Sequence, residues 1–312
     1  MVPTANLIIM AVNALLGFAI PVFLCWWAVK KHQAKLSTIL IGAGTFVVFA
    51  LVLESIVHQI VLKGPSGAVI QGKTLYYALY GGLMAGFFEE TGRFLAMKFL
   101  LKKEPTETKP GVSYGLGHGG VEMAIIFGLS MISTLTMAIM VNLGQTDTLL
   151  SSAPAEAKDQ LTATFEQLQT TGAGTYLLGL WERFSAITLH MGLSLLVWAA
   201  VRKGGKWLWL FPAAILLHTL VDGLAVIRSK SAGMVTVELI IMARAIAVAA
   251  LAWLVARRAF PAEAATATEY STLSDLLERL RKVGDEVVHV LRADGQTDRA
   301  LVDALVREFR LR

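Results

Sequence analysis

The sequence predicts an all-α polytopic membrane helix bundle of about seven transmembrane helices, followed by a short cytosolic helical tail. Three observations carry that prediction. Of 312 residues, 55% are hydrophobic and only 16% are charged, with a mean hydropathy of +0.60. Soluble domains carry about 25% charged residues. Apolar runs of about 20 residues or more, the length that crosses a bilayer, recur along most of the chain. Lys and Arg cluster beside alternate runs, as they do where connections lie on the cytosolic side.

The apolar spans fall at about 5–29, 37–62, 74–101, 112–143, 173–201, 207–227 and 233–256. The first is not a cleavable signal, because Lys30 and Lys31 follow the apolar run instead of preceding it. Lys30, Lys31, Lys35, Lys102, Lys103, Lys109, Arg202, Lys203, Lys206, Arg257 and Arg258 flank one set of connections. Lys63, Lys73, Lys158, Arg228 and Lys230 flank the other. That bias predicts an integral membrane protein with an N-terminus outside and a C-terminus in the cytosol. In the outer connection at 144–172, Leu161, Phe165 and Leu168 recur at helical spacing and predict a short interfacial helix.

After Pro261 the composition changes, which divides the chain into a membrane domain, 1–259, and a cytosolic amphipathic tail, 260–312. Leu273, Leu276, Leu277, Leu280, Val283, Val287 and Leu291 form one helical stripe, and a second short helix is expected at 297–310. A segment of that size lacks a core of its own. Its expected cover is a partner, a second copy of the chain (a homo-oligomer through the tail) or the lipid bilayer. The pI near 9.3 does not indicate nucleic acid, since the basic residues sit in short flanks beside the spans. The single cysteine, Cys25, excludes an internal disulfide framework and a cysteine-based metal cluster.

Polar residues inside the spans are the informative part. Glu89, Glu90 and Arg93 lie in the third span; Tyr114, His118 and Glu122 in the fourth; His190 in the fifth; His218 and Asp222 in the sixth. A charged residue at the centre of a spanning helix costs about 2.5–3.5 kcal/mol on insertion scales, so such residues need a reason. Counted from the cytosolic end of each span, Glu90, Glu122, His190 and His218 are 11 or 12 residues deep and His118 is seven. At about 1.5 Å per residue the deeper four stand roughly 15–20 Å from that end. Four helices therefore bring ionisable groups to nearly one level.

Spacing within each helix agrees. Glu89 and Arg93, His118 and Glu122, and His218 and Asp222 are each i, i+4 and share a face. Three imidazoles with a carboxylate suit a zinc site that keeps an open position, and a nearby glutamate is suited to take a proton from water. The bland readings are a satisfied backbone bond for each histidine and a bundle-locking pair for Glu90 with Arg93. Gly82 with Gly86 and Gly115 with Gly119 predict close helix packing. Glu182 and Arg183, near the other end of their span, read as a structural pair. A proton or cation pathway is the alternative from another class, although such groups would run as a chain across the membrane and not cluster at one depth.

The sequence is similar to a known family through these residues. Glu89-Glu90-x-x-Arg93, Tyr114-x-x-x-His118 and His218-x-x-x-Asp222, in this order on separate spans, resemble the three motifs of the CAAX-protease and bacteriocin-processing superfamily of intramembrane proteases. Within it the closer resemblance is to the YhfC-type intramembrane metalloproteases, through EETGRFLAMKFLLKK, YGLGHGGVE, WERFSAITLH and LLHTLVD, over roughly residues 5–256. The broader superfamily places three residues before the arginine and begins its second motif with Phe. Here there are two residues, and the aromatic is Tyr114.

The resemblance implies a membrane hydrolase that cleaves a membrane-associated peptide or protein, with Glu89 as water activator and His118 and His218 at the centre. Glu90 and Arg93 are expected beside Glu89 as catalytic residues. Metal ligation is expected from His118, His190, His218 and Glu122, with Asp222 and Tyr114 supporting them. The expected cofactor is Zn2+, against a metal-free alternative in which a glutamate and a histidine activate water directly.

Overall fold

The computed structural model describes residues 1–229 and 233–261, and these are helical throughout apart from short connections. Helix α1 spans Thr4–His32. Helix α2 (Leu36–Phe46) runs through a π-helical stretch, Val47–Glu54, into α3 (Ser55–Lys63). The short α4 (Gly67–Gln71) leads to α5 (Thr74–Leu95), which ends in π turns at Ala96–Leu100. Helix α6 (Thr108–Glu122) continues through a π-helical Met123–Leu129 into α7 (Ser130–Asn142). Helices α8 (Thr146–Ser152) and α9 (Lys158–Thr170) occupy the next connection. Helix α10 covers Ala173–Lys203, α11 Leu210–Ser229 and α12 Met234–Ala259. The helices expected in the tail lie outside the described residues.

Six of the seven expected spans are helices long and apolar enough to cross a membrane: Thr4–His32, Leu36–Lys63, Thr108–Asn142, Ala173–Lys203, Gly205–Ile227 and Met234–Ala259. Helix α5 is long enough, at 22 residues, but falls short in apolar content because it carries Glu89, Glu90 and Arg93. It is nonetheless part of the bundle, packed along α11. Helix α10 is the central element. In its most apolar window 72% of residues are buried, against 17–28% in the other five, whose apolar side chains face outward as lipid-facing helices require.

Small residues set how closely these helices approach. A Cβ on Gly86 would stand 2.7 Å from the Ile215 carbonyl oxygen, and one on Gly82 would stand 2.5 Å from that of Thr219, so α5 lies backbone to backbone on α11. Gly42 of α2 and Gly117 of α6 do the same for that pair: added Cβ atoms would meet the Tyr114 and Ile39 oxygens at 2.1 and 1.9 Å. Where α6 meets α10, a Cβ on Gly115 would come within 2.7 Å of Met191 Cα. These contacts bring α5, α6, α10 and α11 together around one centre.

Polar ties fix the N-terminal end of α1. Asn13 Nδ2 donates to the Tyr176 carbonyl at 2.6 Å, and Asn6 Nδ2 to that of Thr171 at 2.8 Å. Asn142 closes a pair of bonds with the Val2 backbone at 2.7 and 2.9 Å. The expected helix in the 144–172 connection is α9. Its Phe165 and Leu168 are buried, and Leu168 packs into a cluster with Met10, Ala138 and Tyr176. At the opposite end of α10, Trp198 Nε1 donates to the Glu107 carbonyl at 2.6 Å. Arg202 caps the preceding loop through the Lys102 and Glu104 carbonyls at 3.1 and 2.8 Å.

Candidate active site

Each polar residue of the expected set stands on one of four helices: Glu89, Glu90 and Arg93 on α5, Tyr114, His118 and Glu122 on α6, His190 on α10, and His218 and Asp222 on α11. Glu90, Arg93, His118 and Tyr114 are wholly buried; His218, His190 and Glu89 are nearly so. The ring centroids of His118 and His190 are 4.7 Å apart, and those of His190 and His218 5.4 Å. The level inferred from residue counts is thus a contact cluster.

The two adjacent glutamates have different surroundings. Arg93 donates through Nη1 to Glu90 Oε1, one turn away, and His218 Nδ1 meets the same oxygen at 2.9 Å. Glu90 is therefore neutralised in place. Glu89 points the other way: its Oε2 is 2.8 Å from His118 Nε2 and 3.8 Å from His190 Nδ1. Among the described residues no guanidinium lies within ion-pair distance of Glu89. A carboxylate held by imidazoles alone retains basic character that a guanidinium-paired one gives up.

Ring orientations follow from donor arithmetic. Arg93 Nη2 lies 3.1 Å from His190 Nδ1, and a guanidinium only donates. Nδ1 therefore accepts, and the ring proton sits on Nε2, which faces Glu122 Oε2 at 2.5 Å. His190 is held in one tautomer, its single Nδ1 lone pair accepting from Arg93 and standing 3.8 Å from Glu89 Oε2. His218 differs, since its Nδ1 meets Glu90 at 2.9 Å and its Nε2 faces Asp222 Oδ2 at 3.4 Å. Both nitrogens thus face acceptors, and the ring presents N–H groups and no lone pair.

Among the described residues one group of side chains has the spacing to hold a metal ion: Glu89, His118 and His190, whose ligand atoms all lie within 4.8 Å of one another. Its composition departs from the expected set. Glu89 belongs to it, while Glu122 sits behind His190 and His218 is turned to Glu90 and Asp222. Two imidazoles and a carboxylate suit zinc with an open fourth position. His118 Nδ1 is buried without a hydrogen-bond partner, and its Nε2 stands 2.8 Å from Glu89 Oε2, so an ion between those two atoms would take the place of their hydrogen bond. Tyr114 touches none of the ligand atoms. Its ring lies 6.1 Å from that of His118, which Phe46 also flanks edge-on at 5.1 Å, so the two aromatics fix the imidazole plane.

A cavity of about 280 Å³ opens beside the group, between α10, α11 and α12. Glu89, His190, His218 and Asp222 form its polar wall; Ala186, Val221, Ala225, Ile241 and Ala245 form an apolar one. Glu182 and Arg183, expected as a structural pair, do pair and also line it. Arg183 Nη1 donates to Glu122 Oε1 at 2.9 Å, and its Nε and Nη2 donate to Glu182. The signal that could have tied Arg183 to the site is its position seven residues, two turns, before His190 on one helix.

The fold and the site together define an all-α integral membrane protein that buries a glutamate–histidine centre among its helices. The chain belongs to the family described as YhfC intramembrane metalloprotease, whose profile matches residues 16–247. It is 37% identical over 262 residues to a Bacillus subtilis (strain 168) protein named "Uncharacterized membrane protein YhfC", covering 83% of this chain and all of that one. No solved structure matches it.

Proposed function

We propose that the protein is an intramembrane zinc peptidase that hydrolyses a peptide bond of a membrane-associated peptide or protein. The observation that carries this reading is the convergence of Glu89, His118 and His190, from three helices, within 4.8 Å of one another beside a cavity in the bundle. His118, His190 and Glu89 would hold the ion, His190 Nδ1 exchanging its bond from Arg93 for the metal, with Glu122 orienting His190 from behind. A zinc ion there supplies Lewis acidity and a water that is nucleophilic near neutral pH.

The rest of the reaction falls to the chain's own groups. The substrate carbonyl enters the cavity, water adds to its carbon, and Glu89 takes the water's proton and passes it to the leaving amine. His218 offers an N–H to the oxyanion that develops on the carbonyl oxygen. Glu90 and Arg93 hold each other, and through them His218 and His190 keep their orientation. The apolar wall receives an aliphatic side chain of the substrate and excludes water. By the charge bias of the connections, the site lies in the bundle with the C-terminus on the cytosolic side of a bacterial cytoplasmic membrane.

A second reading rests on the direct 2.8 Å contact of His118 Nε2 with Glu89 Oε2, since such a dyad activates water without a metal. The experiment that tests both measures zinc content and cleavage of transmembrane peptides by purified protein, with and without a chelator. About one zinc per chain and chelator-sensitive cleavage support the first reading. Cleavage that persists in metal-free protein supports the second. Cation flux through proteoliposomes without any peptide cleavage would overturn both in favour of transport.

A further inference from the structure

We propose that Arg183 is a positioning residue for His190, acting through Glu122. The proposal rests on the reading that His190 belongs to the hydrolytic centre. Helix α10 sets Arg183 about two turns before His190, so both side chains leave the face that packs against α6. Glu122 of α6 spans the interval. Its Oε1 accepts from Arg183 Nη1 at 2.9 Å, and its Oε2 stands 2.5 Å from His190 Nε2. A carboxylate behind a metal-facing imidazole fixes both its tautomer and its ring plane, and such supports are worth 10–100-fold in metal affinity.

Glu122 cannot hold that position unaided. Its side chain and that of Arg183 are 15% and 13% exposed, and Glu182 also pairs with the same guanidinium. Without Arg183, two carboxylates would share a poorly solvated pocket and Glu122 would turn from the ring toward water. A merely structural role, tying α6 to α10, has little to add here. Gly115 and Gly119 already bring the two backbones together, with added Cβ atoms falling 2.7 Å from Met191 Cα and 3.0 Å from Ile187 Cα.

The test uses the full chain in lipid nanodiscs with ¹⁵N-labelled histidine, in which the His190 signals are identified by their loss in His190→Gln. Wild type is expected to show a single His190 tautomer, protonated on Nε2. Arg183→Gln should shift the Nε2 signal as its contact with Glu122 is lost, and so should Glu182→Gln/Arg183→Gln, which keeps the charge balance if the single variant folds poorly; Arg93, which still donates to Nδ1, holds the tautomer in each. Arg183→Lys should retain the wild-type Nε2 signal in part. In the same samples the zinc dissociation constant should rise 10–100-fold in Arg183→Gln, while Glu122→Gln/Arg183→Gln binds no more weakly than Glu122→Gln alone. An unchanged Nε2 signal in the charge-balanced variant, or additive losses in the double one, would overturn the proposal. A wild type that binds no zinc would instead remove the metal from the proposed function, and the Nε2 signal would still decide the role of Arg183.

Discussion

Gly117→Ala tests whether the crossing of α2 and α6 is what delivers His118 to the centre. A Cβ on Gly117 would stand 1.9 Å from the Ile39 carbonyl oxygen and 2.9 Å from Ile39 Cα, where ordinary contact begins at 3.4 Å. Both obstacles are backbone, so no rotamer change relieves them, and α6 must move away from α2 by roughly 1.5 Å. His118 is the next residue, and its 2.8 Å contact with Glu89 would open beyond hydrogen-bonding distance. Overpacking of a core costs about 1–3 kcal/mol, and a buried hydrogen bond left unmade adds about 1–3 kcal/mol. A loss of about 2–6 kcal/mol of stability is expected. Zinc affinity and turnover should fall as well, because a misplacement of about 1 Å costs on the order of 10²-fold in rate.

The control lies on the partner helix. Nothing stands within 4 Å of a Cβ on Gly44, so Gly44→Ala should melt at or above the wild-type temperature with full zinc content. The assay is thermal unfolding in detergent followed by tryptophan fluorescence, with zinc content measured on the same preparations. A Gly117→Ala protein with wild-type melting and wild-type zinc content would refute the argument that backbone contact at this crossing positions the site.

Three further outcomes follow from the geometry. Glu89→Gln should lower peptide cleavage by about 10²–10⁴-fold, the usual worth of a general base, and weaken zinc binding, since the same carboxylate is a proposed ligand; cleavage at the wild-type rate would remove Glu89 from both roles. His118→Ala and His190→Ala should each lose zinc, whereas His218→Ala, outside the group that spans 4.8 Å, should keep it and lose turnover, as read by metal analysis beside a cleavage assay. Asn13→Ala breaks the 2.6 Å bond to the Tyr176 carbonyl and should cost about 1–3 kcal/mol in unfolding measurements while leaving zinc content intact.

The depth of the site was legible in the sequence because two rules fix it. Basic flanks mark where each span begins, and a helix rises by a constant amount per residue, so residues 90, 122, 190 and 218 come to one level whatever the packing. What depth leaves open is the rotation of each helix about its own axis, and rotation decides which atoms meet. Helix α5 is turned by Gly82 and Gly86, which press it onto Thr219 and Ile215 of α11 and point Glu90 at His218. Glu89, the next residue and roughly 100° around the helix, is thereby directed at His118. Three imidazoles at one depth look like one ligand set until that rotation separates His218 from the other two.

The pairing of Arg183 with Glu182 was legible, but its reach to Glu122 was not, for a related reason. Counted by its Cα it lies two turns from the level of His190, and depth alone assigns it to the outer end of its span. A guanidinium on a flexible stem, and a glutamate reaching back from the neighbouring helix, close that gap. The two arginines then have parallel tasks. Arg93 pairs with Glu90, Arg183 is shared between Glu122 and Glu182, and of the carboxylates lining this centre on α5 and α6 Glu89 is left with imidazole partners alone. A membrane interior tolerates a carboxylate only when something offsets its charge. Glu89 is offset by the groups that would share a metal or a proton with it, and for that reason it is the carboxylate on which the chemistry is expected to turn.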